Sequence, residues 1–104
     1  MLAAMSVDVV DAPERRRFEA TVDGAPAGYA EYLLGADLIV FPHTVVDPAF
    51  EGKGVGSALA RTALDEARRR GLAVLATCPF ISGWMQRHPE YLDLAYQNRT
   101  TAKD

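Results

Sequence analysis

The sequence has one cysteine, Cys78, so no internal disulfide can form and no multi-cysteine zinc site can be assembled. It has no excess of positive charge: eleven Lys and Arg stand against fourteen Asp and Glu, a net charge of −3. The whole molecule has no electrostatic reason to condense on nucleic acid or anionic lipid, so any anionic ligand must be held locally. No apolar run approaches the ~20 residues that span a bilayer. The opening Met1-Leu2-Ala3-Ala4-Met5-Ser6 lacks the cationic region and long apolar core of a secretory signal, and the expectation is a cytoplasmic protein without membrane partners. The Asn98-Arg99-Thr100 sequon carries no weight without export. Repeats, low-complexity tracts and linkers are missing as well. With 104 residues, 49% of them hydrophobic, the chain reads as a single domain, 1–104, with an ordered core over about 7–94.

What is present is a change of hydrophobic period along the chain. Residues 7–10 begin a short strand, and Asp11-Ala12-Pro13-Glu14 reads as a turn. Phe18, Ala20 and Val22 then alternate with Glu19, Thr21 and Asp23, the period of a half-buried strand. Asp23-Gly24 suits the positive φ of a type I′ hairpin. The next run places Ala27, Tyr29, Glu31 and Leu33 on one face and Gly28, Ala30, Tyr32 and Leu34 on the other. Gly35-Ala36-Asp37 reverses the chain into Leu38-Ile39-Val40-Phe41, bounded by Pro42. Proline cannot donate to a ladder, so this strand is expected to be at an edge, bulged or splayed there. It continues through His43 to Val46 and stops at Asp47-Pro48.

Beyond a Gly-rich turn the period lengthens. Val55, Leu59, Ala63 and Ala67 recur every four residues, supported by Ala58 and Thr62, with Arg61, Asp65, Arg68 and Arg69 on the other side. Arg68-Arg69-Arg70 suit the negative end of the helix dipole, and Gly71 supplies a left-handed stop. Residues 72–77 form an apolar strand, and the crossover helix before it favours a parallel place beside 38–41. Residues 80–87 suit a short helix ended by His88-Pro89, Leu92 and Leu94 dock on the body, and 100–104 fray. The fold class is α/β in the α+β sense: a mixed, mainly antiparallel sheet of four or five strands, one principal helix and a short C-terminal helix.

The chemistry concentrates in Glu51-Gly52-Lys53-Gly54-Val55-Gly56-Ser57, between a strand and the long helix. The first turn of a helix carries unpaired N–H groups and a partial positive charge, and glycines let an anion reach the bare backbone. A phosphate or diphosphate fits. The nucleotide P-loop pattern fails because Lys53 comes too early and is followed by Gly54. The dinucleotide fingerprint fails as well, since its third glycine is missing from the required place.

The stretch His43-Thr44-Val45-Val46-Asp47 through Gly52-Lys53-Gly54-Val55-Gly56, with Thr77-Cys78-Pro79 and Arg87-His88-Pro89-Glu90-Tyr91 beyond it, resembles the GCN5-related N-acetyltransferase (GNAT) superfamily. In particular it is similar to a subfamily of very small, GNAT-like acetyl-CoA-binding proteins, from about residue 18 to 94. The resemblance implies a Gln/Arg-x-x-Gly-x-Gly/Ala loop that binds the diphosphate of acetyl-CoA through its amides. Gly54 and Gly56 match its small positions, while Glu51 stands where Gln or Arg is usual. Gly52, Lys53, Gly54, Val55, Gly56 and Ser57 would form the cradle. Backbone groups of Thr44, Val45 and Val46 would pair with pantetheine where the strand splays from its neighbour.

Acetyl transfer to an amine needs a base for the acceptor and a proton for the departing thiolate. His43, at the end of a strand, is a candidate base, with a structural histidine as the equal alternative. Cys78, where the thioester end would lie, is a candidate acid or transient acetyl acceptor; its alternative is a small buried hydrophobe. His88 reads as a helix cap, and nothing in the spacing of His43, Cys78 and His88 demands a metal. Trp84, Phe80 and Tyr91 read first as core, and Arg15-Arg16-Arg17 as a solvated strand entrance. The implied function is acetyl-CoA-dependent transfer to a small-molecule or peptidyl amine. The alternative is a non-catalytic acyl-CoA-binding or interaction module.

Overall fold

The computed structural model describes residues 6–97. The leader reading of residues 1–5, the sequon at 98–100 and the expected fraying of 100–104 fall at or beyond its ends. Five strands run in chain order across one sheet: β1 (Val7–Ala12), β2 (Arg17–Val22), β3 (Ala25–Leu34), β4 (Leu38–Val46) and β5 (Ala73–Ala76). The first four are antiparallel, and β5 joins β4 in parallel through the crossover helix α1 (Val55–Arg70). A short helix α2 (Pro79–Arg87) and a 3-10 segment (Pro89–Leu94) complete the body.

Local chemistry accounts for the connections. Asp23 and Gly24 both take positive φ, 49° and 86°, as a type I′ hairpin requires. The turn expected at 11–14 begins later, because β1 keeps its pairing with β2 through Ala12. Pro13–Arg15 is a single 3-10 turn closed by Arg16 in the left-handed region, φ 54°. Gly71, φ 71°, ends α1 by donating its N–H to Ala67 and Arg68 carbonyls.

Both α1 and α2 lie against one face of the sheet. Phe18, Ala20 and Val22 of β2, Ala30 and Tyr32 of β3, and Ile39 and Phe41 of β4 meet Val55, Leu59, Ala60, Ala63, Leu64 and Ala67 of α1. The helix therefore buries Ala60 and Leu64 where periodicity had favoured Ala58 and Thr62: the apolar stripe widens toward the i+5 and i+9 positions. Ile81, Trp84 and Met85 of α2 close the core, and Leu94 docks on it, whereas Leu92 stays exposed. Emptying one of these sites, as in Leu59→Ala, removes about 2–5 kcal/mol by lost transfer energy and the cavity left.

Two β-bulges set which side chains face the helices. On β3, Ala20 pairs with Gly28 but Thr21 pairs with Pro26, so Ala27 is an extra residue. It turns into the core beside Ala30 and Tyr32, and Leu34 is exposed, which corrects the strict two-face division read from the sequence. On β4, His43 pairs with Glu31 but Val40 pairs with Leu33, leaving Phe41 and Pro42 opposite Tyr32. A one-residue slip exchanges the faces of everything beyond it. Unbroken alternation from Ile39 and Phe41 would have buried His43; the bulge turns His43 to solvent and sends Thr44 to the helix side. Pro42 thus marks a bulge on an interior strand.

Candidate functional site

β5 accompanies β4 only from Leu38 to Phe41. One further bond, Cys78 N–H to the Phe41 carbonyl at 3.0 Å, closes the pairing, and the two chains then part. The segment His43, Thr44, Val45 and Val46 keeps its partners on β3 but has no strand on its other side. A wedge therefore opens between β4 and the β5–α2 connection, its apex at Phe41 and Cys78 and its mouth at the Gly-rich turn.

At the mouth, Asp47 opens a 3-10 turn (Pro48–Phe50) by accepting the Ala49 N–H at 2.9 Å. Gly52 and Gly54 then take φ of 79° and 84°, a backbone that side-chain-bearing residues rarely adopt. This curl aims the start of α1 outward. The helix has no side-chain N-cap and no acidic residue in its first turn. Lys53 N–H is bonded to the Phe50 carbonyl and Ala58 N–H to the Gly54 carbonyl. Between them, the N–H groups of Gly54, Val55, Gly56 and Ser57 have no acceptor among the described residues. Four successive uncapped donors at the positive end of a helix dipole are an arrangement able to receive an anion.

These donors border a cavity of about 340 Å³ lined by Val46, Phe50, Glu51, Gly52, Gly54, Val55, Gly56, Ser57, Phe80 and Arg87. A Cβ on Gly56 would lie 2.6 Å from the Phe80 ring, so glycine there lets α2 close upon α1. Cβ atoms on Gly52 and Gly54 would meet nothing within 4 Å, which leaves the space above the amides clear. Residues and cavity fit a diphosphate. Larger cavities lie on the uncovered sheet face, about 680 Å³, and beside Asp37 and Tyr96, about 490 Å³, but volume does not supply anion donors.

Val46, Gly52, Gly54, Val55, Gly56 and Ser57 come together as the sequence suggests. Lys53 is exposed and is not part of the cavity wall, while Thr44 and Val45 lie deeper along the wedge. The cation that lines the wall is Arg87, which sequence reasoning left without a role. Its signal was the spacing Phe80, Gly83, Arg87, one face of a helix at i, i+3 and i+7. Ser57 Oγ accepts the indole N–H of Trp84 at 3.0 Å, tying the turn to α2.

The two candidate reacting groups lie on opposite faces of β4. Cys78 is 4% exposed, and its Sγ–H donates to Thr44 Oγ1 at 3.4 Å on the helix side. His43 is exposed on the other face, edge-on to Tyr29 with centroids 6.4 Å apart. That face carries no helix among the described residues. It holds Arg17 stacked 4.2 Å over Tyr29, and Glu19, whose carboxyl is held at about 2 by hydrogen bonds from Arg15 and Arg17. His88 stacks on Trp84 at 3.7 Å and donates Nδ1–H to its carbonyl at 2.8 Å, a structural role.

Comparison with known proteins agrees with this fold. Mouse Protein NATD1 is 29% identical over 84 residues, 77% of this chain and 76% of its own length. The solution structure of a GCN5-like protein from Staphylococcus aureus superposes with a TM-score of 0.65, covering 95% of both chains at 19% identity. The ribosomal-protein-S18-alanine N-acetyltransferase of Escherichia coli shares the fold at a TM-score of 0.57 and 20% identity, over 69% of this chain and 65% of that one. No membrane-crossing helix occurs among the described residues. Residues 17–94 match the family model for the GCN5-related N-acetyltransferases, and the chain belongs to that family.

Proposed function

We propose that this protein binds acetyl-CoA in the wedge between β4 and β5 and transfers its acetyl group to a small-molecule or peptidyl amine. The observation that carries the reading is the row of uncapped N–H groups from Gly54 to Ser57 at the mouth of a strand splay. Acetyl-CoA supplies the acetyl group as an activated thioester. The chain's own residues do the rest. Main-chain donors of the Gly-rich turn fix the diphosphate, and the stretch Thr44, Val45 and Val46 offers the wedge those backbone groups that point away from β3. His43, exposed beside the uncovered face, takes the proton that an ammonium acceptor must lose. As the C–S bond of the thioester breaks, Cys78, whose Sγ–H is shared with Thr44 Oγ1 on the opposite side, gives its proton to the departing CoA thiolate. The groove bounded by Arg17, Glu19, Tyr29 and Val45 offers the acceptor its approach, without passing the cofactor turn.

Release of free CoA, followed with polyamines, amino acids, aminoglycosides and peptides, tests the proposal alongside calorimetry with acetyl-CoA. Binding with turnover on at least one amine is the expected result. Binding without turnover on any of them assigns the chain to a non-catalytic acyl-CoA-binding module, and no heat with saturating acetyl-CoA removes both readings.

A further inference from the structure

Most basic side chains in the described residues are already engaged. Arg15 and Arg17 hold Glu19, Arg68 holds Asp93, and Arg69 and Arg70 hold Glu66. Arg61 lies over the rings of Trp84 and Tyr91. Arg16, Lys53 and Arg87 have no ion pair among the described residues, and of these only Arg87 lines the cavity above the Gly54–Ser57 amides. Glu51, the one acidic residue of the Gly-rich turn, also lines this cavity. An anion site with one acidic wall and one free guanidinium is asymmetric, and the asymmetry has a structural origin. A Cβ on Gly83 would lie 3.3 Å from Arg87 Nη1, so the guanidinium folds back along α2 over the bare Gly83 backbone, toward Phe80 and Gly56. Helical side chains lean toward the N-terminus of their helix, which is the direction of the cavity.

We infer that Arg87 is the cationic wall of the diphosphate cradle, supplying from α2 the charge that Glu51 takes away from the turn, with Gly83 as its positioning residue. This rests on the acetyl-CoA reading above. A planar guanidinium can engage two phosphate oxygens at once, and the helix amides meet the remaining ones. The role would fall to a residue on a different helix, far along the chain from the turn, which is why no local motif announces it.

Calorimetric titration of CoA and of dephospho-CoA into wild type, Arg87→Gln, Gly83→Ala and Glu51→Gln tests the inference without any need for turnover. Arg87→Gln should melt as wild type does, since the side chain is exposed, and should weaken both ligands alike by about ten-fold or more. Gly83→Ala should give a smaller loss in the same direction, and Glu51→Gln a gain. The remaining salt dependence of Arg87→Gln should be shallower than that of wild type. Equal affinities of wild type and Arg87→Gln overturn the inference while leaving the cofactor reading in place. A loss seen with CoA but not with dephospho-CoA overturns it too, by moving Arg87 to the 3′-phosphate. Failure of wild type to bind either ligand removes the parent reading.

Discussion

Gly54 and Gly56 occupy neighbouring positions in one motif, yet the structure asks for glycine at each for a different reason. Gly54 has φ of 84° and free space around it, so the obstacle to a side chain is the backbone itself. Gly56 is helical, and its obstacle is the Phe80 ring at 2.6 Å. Gly54→Ala should therefore cost about 1–2 kcal/mol from left-handed strain, and Gly56→Ala about 1–3 kcal/mol from overpacking. Shrinking the ring separates the two. Phe80→Leu in the Gly56→Ala background should recover stability, whereas the same change should leave Gly54→Ala uncorrected, a double-mutant cycle read by urea unfolding. Equal behaviour of the two pairs would show that the steric distinction is wrong. Cys78 gives a second prediction. Because its thiol points to Thr44 and not into the cradle, Cys78→Ala should lower kcat while calorimetry returns an unchanged acetyl-CoA affinity. A wild-type rate in that variant returns Cys78 to core packing. The glycines were legible in the sequence because their spacing is local; the ring that excludes a methyl from Gly56 was not, since it arrives from another helix.

Among the elements, strand alternation and helix periodicity were legible because both depend on neighbours within a few residues. The two bulges were not, because a bulge is a mismatch between two strands and neither strand encodes it alone. Pro42 announced a disturbance, but only pairing with β3 shows that it turns His43 outward and Thr44 inward. The C-terminal end of α1 was half legible. Arg68-Arg69-Arg70 suited the helix dipole, and the structure adds their partners: Glu66 receives hydrogen bonds from Arg69 and Arg70, and Arg70 also reaches Asp11 of β1 at 3.1 Å. The bonds from Arg69, then Arg70, hold the Glu66 carboxyl down at about 2. A carboxyl depressed by folding stabilises the fold above its unfolded pKa of ~4.3, and that contribution fades as pH falls toward the folded value. Glu66→Gln should accordingly lower Tm at pH 7, and the gap from wild type should narrow below pH ~4.3 and close near pH 2. A gap that stays constant across this range would mean that Glu66 contributes through packing and not through its charge.

Across the whole molecule, one polar network connects the Gly-rich turn to the C-terminal segment. Trp84 donates its indole N–H to Ser57 in the first turn of α1, stacks on His88, and packs at 5.3 Å from Tyr91. Tyr91 donates in turn to Asp65 of α1 at 2.7 Å, and that bond together with burial pushes its phenol above the ordinary range. These residues looked like separate core aromatics in the sequence because their partners lie 26 or 27 positions away. They make α2 a clamp whose one end closes the core and whose other end faces the Gly-rich turn. Trp84 is the only tryptophan, so its emission reports on that clamp alone. An anion settling on the Ser57 amide repolarises the hydroxyl that accepts the indole proton. Saturating CoA should therefore shift Trp84 emission with a midpoint equal to the calorimetric Kd, and Ser57→Ala should lose most of the shift while still binding through its main-chain donors. Should emission stay flat while calorimetry records binding, the ligand lies elsewhere than over the first turn of α1, and the cradle assignment fails with it.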